Sequence, residues 1–226
     1  MGVGPGDPEL ITLKARRLLE AVPVICAPRS RQEGGSLALE IVGRVLGPHL
    51  AGKERIELHF PMSREGSRLE RAWQEAAEAV AGRLGQGLDV AFVTLGDPTF
   101  YSTYGFLLEK LVSLVPGLRA VTVPGVTALA AGAARLNLPL VRQDERLAVV
   151  SGSEDPEVLG KVFREFTCTA VFKVGRHLPR LREILRACDL EDRAWVVERC
   201  GLPGESLGPL RSFQEADYLS LLVVRK

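Results

Sequence analysis

Two spacings of hydrophobic residue alternate along this chain of 226 residues. Ile11, Ala15, Leu18 and Val22 recur every three or four positions, as do Leu69, Trp73, Ala76, Ala77 and Val80, so each set lies along one side of a helix. Short continuous apolar runs, such as residues 22–27 and 88–95, read instead as buried strands. The pattern predicts helices over residues 36–46, 68–84, 100–115 and 126–136, and strands over 22–27, 57–60, 88–95 and 118–123. The opening helix starts at Asp7-Pro8 or at Thr12, both of which suit a helix entrance. Farther along, strands are predicted over 147–150, 170–174, 194–197 and 218–224, with helices over 156–166 and 178–187. Strand and helix in alternation make an α/β fold. Texture changes between Pro124 and Pro139, giving an N-terminal α/β domain over 1–124 with a mostly parallel sheet and a C-terminal α/β domain over 125–226 with a mixed one. With no long polar linker the two are expected to pack closely, and a cleft between domains is a common home for a small molecule.

Composition narrows the class of partner. With 46% hydrophobic and 25% charged residues the chain reads as a soluble globule. Lys and Arg total 29 against 28 acidic residues, a net charge of +1, which lacks the basic excess that binding a phosphate backbone calls for. No nucleic acid is expected. Cys26, Cys168, Cys188 and Cys200 form no CxxC pair, no secretory leader precedes the first loop, and no apolar run reaches the ~20 residues that span a bilayer. A reducing cytoplasm follows, with no membrane contact.

Three glycine turns carry the candidate chemistry: Gly2-Val3-Gly4-Pro5-Gly6-Asp7, Gly96-Asp97-Pro98 and Pro124-Gly125-Val126-Thr127. Each is expected at the end of a strand, where α/β sheets place ligands. The first departs from the dinucleotide fingerprint, since Asp7 stands at the third glycine and Pro5 removes a backbone donor; no Gly-Lys pair continues into a phosphate loop. A cation or zwitterion suits Asp7 and Asp97 better than a phosphate, although either carboxylate is equally suited to capping a helix. Residues 127–134 are small, as a wall against a flat ligand or close helix packing requires. His49, His59 and His177 lack metal-ligand spacing, so no metal is expected, and no hydrolytic nucleophile motif is present. Tyr101, Ser102, Thr103 and Tyr104 remain as polar candidates, with Arg29, Arg31, Arg64, Arg142, Arg146 and Arg176 as loop cations able to grip carboxylates.

Taken in order, Gly2-Val3-Gly4-Pro5-Gly6-Asp7-Pro8-Glu9-Leu10-Ile11-Thr12-Leu13-Lys14-Ala15, Leu95-Gly96-Asp97-Pro98 and Val123-Pro124-Gly125-Val126-Thr127 resemble the tetrapyrrole (corrin/porphyrin) methylases. The residues 97–104, 144–149 and 172–176 are similar to those of the precorrin-2 C20-methyltransferases of cobalamin biosynthesis, and the continuation usual in the uroporphyrinogen III enzymes is absent. The resemblance implies S-adenosylmethionine as methyl donor, held in a cleft between two α/β domains, a tetrapyrrole acceptor (precorrin-2 or its cobalt complex) and a homodimer. Carried over by position, Pro5, Leu95, Gly96, Asp97, Thr127 and Ala128 line the donor site, with Val174, Cys200, Gly201, Tyr218, Leu219 and Ser220 from the second domain. Tyr101, Ser102, Thr103, Arg29 and Arg176 are the expected substrate contacts, and Asp97 the catalytic residue, stabilising positive charge that develops on the macrocycle. One departure stands out: the family ordinarily carries a full strand ahead of the glycine loop, whereas Met1 abuts Gly2, so the start lies upstream or this sheet edge is trimmed. Other readings are methylation at another tetrapyrrole position, methylation of a modified protein histidine or ribosomal RNA, and a non-catalytic S-adenosylmethionine-binding module.

Overall fold

The structure is a computed structural model that describes residues 1–29, 35–61 and 66–226. Arg31 and Arg64 lie outside the described residues. The chain forms two compact units, Met1–Thr127 and Ala128–Lys226.

In the first unit the elements run α1 (Leu13–Ala21), β1 (Val24–Arg29), α2 (Leu37–Leu46), β2 (Glu54–His59), α3 (Gly66–Leu84), β3 (Val90–Phe92) and α4 (Tyr104–Leu114). Thr12, not Asp7, starts the first α-helix: its hydroxyl accepts the Ala15 N–H at 3.1 Å. Asp7 caps a separate 3-10 turn over Pro8–Leu10. The three strands pair in parallel in the order β2-β1-β3. Side chains of β1 alternate between faces. Ile25 and Ala27 pack with Leu19, Ala38, Ile41 and Val42, while Val24 and Cys26 pack with Ala76, Ala77, Val80, Leu107 and Leu111. Helices thus cover both faces, which is why the strand is apolar from Val24 to Pro28 and not alternating. Burial pushes the Cys26 thiol up to about 12, so it behaves as a small apolar filler.

Two predicted elements of this unit changed. Residues 118–123 form no strand: only Val123 and Leu118 join the apolar packing, and Val123 O accepts a single bond, from Gly2 N–H at 3.0 Å. The helix predicted from residue 100 begins at Tyr104, because Tyr101 has φ 51°, a left-handed backbone no α-helix accommodates. Gly82, exposed in α3, would place a Cβ in open space. Gly82→Ala is therefore expected to raise stability by about 0.5–1 kcal/mol, read as a higher urea midpoint at unchanged slope; a lower midpoint contradicts it.

The second unit runs α5 (Ala128–Arg135), β4 (Leu147–Ser151), α6 (Pro156–Glu165), β5 (Cys168–Phe172), α7 (Leu178–Arg186), β6 (Ala194–Glu198), β7 (Ser206–Pro209) and β8 (Ser220–Arg225). Its sheet order is β4-β5-β8-β6-β7, with β4 and β5 parallel and β8 antiparallel to both neighbours. Leu222 and Val224 face Leu159, Phe163, Leu181 and Leu185 of α6 and α7, whereas Leu221 and Val223 face Leu129 of α5. A Cβ on Gly132 would lie 3.0 Å from Leu221, so the small residues of α5 serve close packing on the sheet. The edge strand β7 escapes the hydrophobic pattern because only Leu207 among its four residues is strongly apolar, and that side chain is exposed.

Candidate functional site

In the first unit, the three glycine turns meet beyond the C-terminal ends of the parallel strands. Residues 1–3 extend alongside β3: Val3 N–H donates to Thr94 O at 3.0 Å and Thr94 N–H to Met1 O at 3.1 Å. Gly96 N–H then donates to Gly4 O at 2.8 Å, joining the first turn to the second. A Cβ built on Gly125 would lie 2.2 Å from Gly96 O and 2.8 Å from the Gly2 Cα; one on Gly2 would lie 2.4 Å from the same oxygen. Gly2 and Gly125 are glycines because three backbones cross at contact distance. That close approach, unlike the turns themselves, has no signal in the sequence.

Asp97 ties the second turn to the third. Its Oδ1 accepts the Thr99 N–H at 2.7 Å and the Thr99 hydroxyl at 2.5 Å, and Oδ2 accepts the Gly125 N–H at 2.8 Å. Among the described residues it is the one charged side chain in the buried set, 8% exposed. Burial raises its pKa, but the Thr99 hydroxyl, the Gly125 amide, the Thr99 amide and the nearby terminal amine outweigh that and hold the carboxyl below its ordinary value. The group is ionised at neutral pH, with both oxygens engaged by the protein.

The adjoining hydroxyls form two separate pairs. Ser102 Oγ donates to the buried Thr94 Oγ1 at 3.2 Å and accepts the Tyr104 N–H at 3.2 Å, and the Tyr104 hydroxyl pairs with Thr122 Oγ1 at 2.8 Å. Thr94 was missed by sequence reasoning, since a threonine closing an apolar strand reads as strand composition. Thr103 Oγ1 is buried, and among the described residues it has no hydrogen-bond partner. Pro5 is buried, Leu95 and Gly96 are half-buried, and Thr127 and Ala128 stand half-buried where the first unit ends and α5 begins. Tyr101 is 52% exposed, with its ring edge-to-face on Phe100. Arg29 closes β1 at the same sheet edge, paired with Glu57 at 3.3 Å.

In the second unit, the expected donor contacts converge on one edge of the sheet. Val174 follows β5, Cys200 and Gly201 follow β6, and Tyr218, Leu219 and Ser220 lead into β8, which lies between those two strands. Ser220 Oγ accepts the Gly175 N–H at 3.1 Å and donates to Asp217 O at 2.6 Å. Val174 and Cys200 are buried; Tyr218 is half exposed. Arg176 is exposed beside them in the 3-10 turn Gly175–His177. Arg146 precedes β4 and Arg142 lies just before it, at the opposite end of the sheet, where Arg146 pairs with Glu165 and stacks on Phe166. These two arginines are not brought to the candidate site. Among the described residues no three His, Cys, Asp or Glu side chains are placed to hold a metal ion.

The family described as Tetrapyrrole (Corrin/Porphyrin) Methylases matches residues 1–212. The chain belongs to the tetrapyrrole methylases. This methylase is 34% identical to cobalt-precorrin-2 C(20)-methyltransferase of Salmonella typhimurium, over all of the chain and 94% of that protein. It is 33% identical to precorrin-2 C(20)-methyltransferase of a Sinorhizobium species, over 99% of the chain and 93% of that protein. Among solved structures, uroporphyrin-III C-methyltransferase from Thermus thermophilus complexed with S-adenyl homocysteine superposes with a TM-score of 0.68 at 25% identity, over all of this chain and 95% of that one. The residues of this methylase suit a sulfonium amino acid: the donors at both sheet edges are chiefly backbone groups and hydroxyls, and the buried charge is negative.

Proposed function

We propose that this methylase transfers a methyl group from S-adenosylmethionine to C20 of precorrin-2 or cobalt-precorrin-2, in cobalamin biosynthesis. The single observation that carries the reading is the 33–34% identity to C20-methyltransferases over nearly the full length of both proteins. The donor brings an electrophilic methyl already activated by its sulfonium, so the chain's task is alignment, which can supply ~7–11 kcal/mol without a strong base. The glycine crossing fixes the turn, Asp97 fixes the glycine turns to each other, and the Thr103 hydroxyl has no partner among the described residues. Pro5, Leu95, Gly96, Thr127 and Ala128 in the first unit, and Val174, Cys200, Gly201, Tyr218, Leu219 and Ser220 in the second, are the proposed donor contacts. Ionised Asp97 keeps its negative charge although its oxygens are engaged, and this charge stabilises positive charge developing on the attacking macrocycle.

Tyr101, Ser102, Thr103, Arg29 and Arg176 are the proposed substrate contacts. The arginines meet substrate carboxylates, so the substrate KM is expected to rise with salt while the donor KM holds; a substrate KM indifferent to salt removes that role. The reaction is tested under anaerobic conditions with metal-free and cobalt-loaded substrate and isotopically labelled donor. Label at C20 from one substrate form supports the reading and selects the form; label at another carbon, or donor binding without transfer, overturns it. The protein is further proposed to act as a cytoplasmic homodimer. Val112 and Leu114 of α4 are exposed, and among the described residues no helix is long and apolar enough to cross a membrane.

A further inference from the structure

At the edge of the second unit's sheet, Asp217 joins the two loops that carry the proposed donor contacts. Its Oδ1 accepts the Leu219 N–H at 2.8 Å, its backbone N–H donates to Glu198 Oε1 at 2.7 Å, and its backbone carbonyl accepts the Ser220 hydroxyl. Its Oδ2 stands 3.5 Å from Arg199 Nη1. Arg199 in turn donates from Nε to Pro203 O at 2.9 Å and from its backbone to Leu219 O at 2.8 Å. It also has a left-handed backbone, φ 48°, one residue after β6 ends and just before Cys200 and Gly201. A residue with a Cβ holds that conformation only when its surroundings over-determine it, and such residues gather at ligand sites. Here the surroundings are the three bonds that connect Glu198 and Arg199 to Asp217 and Leu219, with the Arg199–Pro203 bond closing the first loop.

The pair is a poor candidate for general stability. Both side chains are about one-third exposed, and an exposed ion pair contributes ~1 kcal/mol or less. The contacts order two loops against each other. We propose that Asp217 and Arg199 are positioning residues for donor binding: they hold the backbone of Cys200, Gly201, Leu219 and Ser220 in the geometry the methionyl and nucleoside polar groups of S-adenosylmethionine require. The proposal rests on the donor-contact reading given above.

The test is calorimetric binding of S-adenosylhomocysteine together with steady-state kinetics on the full chain. Asp217→Ala is expected to weaken binding and raise the donor KM about tenfold, with kcat within about twofold, the tetrapyrrole KM unchanged and the thermal midpoint within a few degrees of the parent. Asp217→Asn keeps an acceptor for the Leu219 N–H and recovers most of that loss. Where Asp217→Ala fails to fold, Arg199→Gln is read instead, with a donor KM raised about threefold. Unchanged donor affinity in a folded variant, or equal rises in both KM values, overturns the positioning role while leaving the donor-contact reading intact. A parent protein that binds no S-adenosylhomocysteine overturns both.

Discussion

Gly125→Ala is expected to unmake the first unit's site. The added Cβ would sit 2.2 Å from Gly96 O and 2.8 Å from the Gly2 Cα, both backbone atoms that cannot swing aside as a side-chain tip can. Relief requires moving one of three chain segments, and each segment is bound to another. Gly2 is bonded to Val123 O, Gly96 to Gly4, and Gly125 to Asp97. We expect a loss on the order of 3 kcal/mol or more, in the range of over-packed interiors and above, with S-adenosylhomocysteine binding lost from the fraction that stays folded. Denaturant unfolding and calorimetry check this. A variant with parent-like midpoint and affinity would show that the three backbones are not in contact. Gly82→Ala, at a glycine with nothing within 4 Å, is the matched control for the chemistry of the substitution.

Replacing Asp97 is expected to have the second large effect, and two variants separate its roles. In Asp97→Asn one side of the amide still accepts from Thr99, but the –NH2 then faces the Gly125 N–H, donor against donor; flipping the amide moves the same conflict to Thr99. Lost charge-assisted bonds and an unsatisfied amide together cost about 2–3 kcal/mol. The dependence on pH has a definite sign. A carboxyl held below its ordinary value stabilises the fold fully above the unfolded value of about 4, and that contribution disappears as pH falls through the folded one. The stability gap between parent and Asp97→Asn should therefore be widest near neutrality and close in acid; a gap that widens in acid contradicts the assignment. In activity, Asp97→Ala and Asp97→Asn should both lower kcat on the order of a hundredfold and donor affinity by less. Unchanged turnover in a folded variant would remove the charge role and leave Asp97 as a clamp only.

Asp97 also shows how far sequence reasoning reached. A carboxylate in a Gly-Asp-Pro turn serves equally well as a helix cap or a ligand contact, and local sequence offers no means of choosing. In the structure it caps no α-helix: one oxygen closes its own turn on Thr99, and the other reaches a glycine amide 28 positions away. The same limit appears at Tyr101. Its neighbours carry helix-compatible residues, yet the turn set by Asp97 leaves Tyr101 left-handed and delays α4 to Tyr104. The arginines of the loops were indistinguishable in sequence. Arg29 lies at the edge that carries the glycine turns and Arg176 at the edge that carries the proposed donor loops, whereas Arg142 and Arg146 lie at the far end of the second sheet.

The sequence by itself determined the α/β alternation, most helices and strands to within a few residues, the three turns and, through their order, the family. Those follow from side-chain periodicity and from glycine and proline restricting their own backbone, which are local properties. Only the tertiary structure decided that Gly2, Gly96 and Gly125 cross, that Asp97 ties two of the glycine turns together, and that Asp217 joins two loops of the second sheet. Each of these depends on which strand ends the sheet brings side by side. Strand order is set by packing of both sheet faces at once, and no window of sequence contains it.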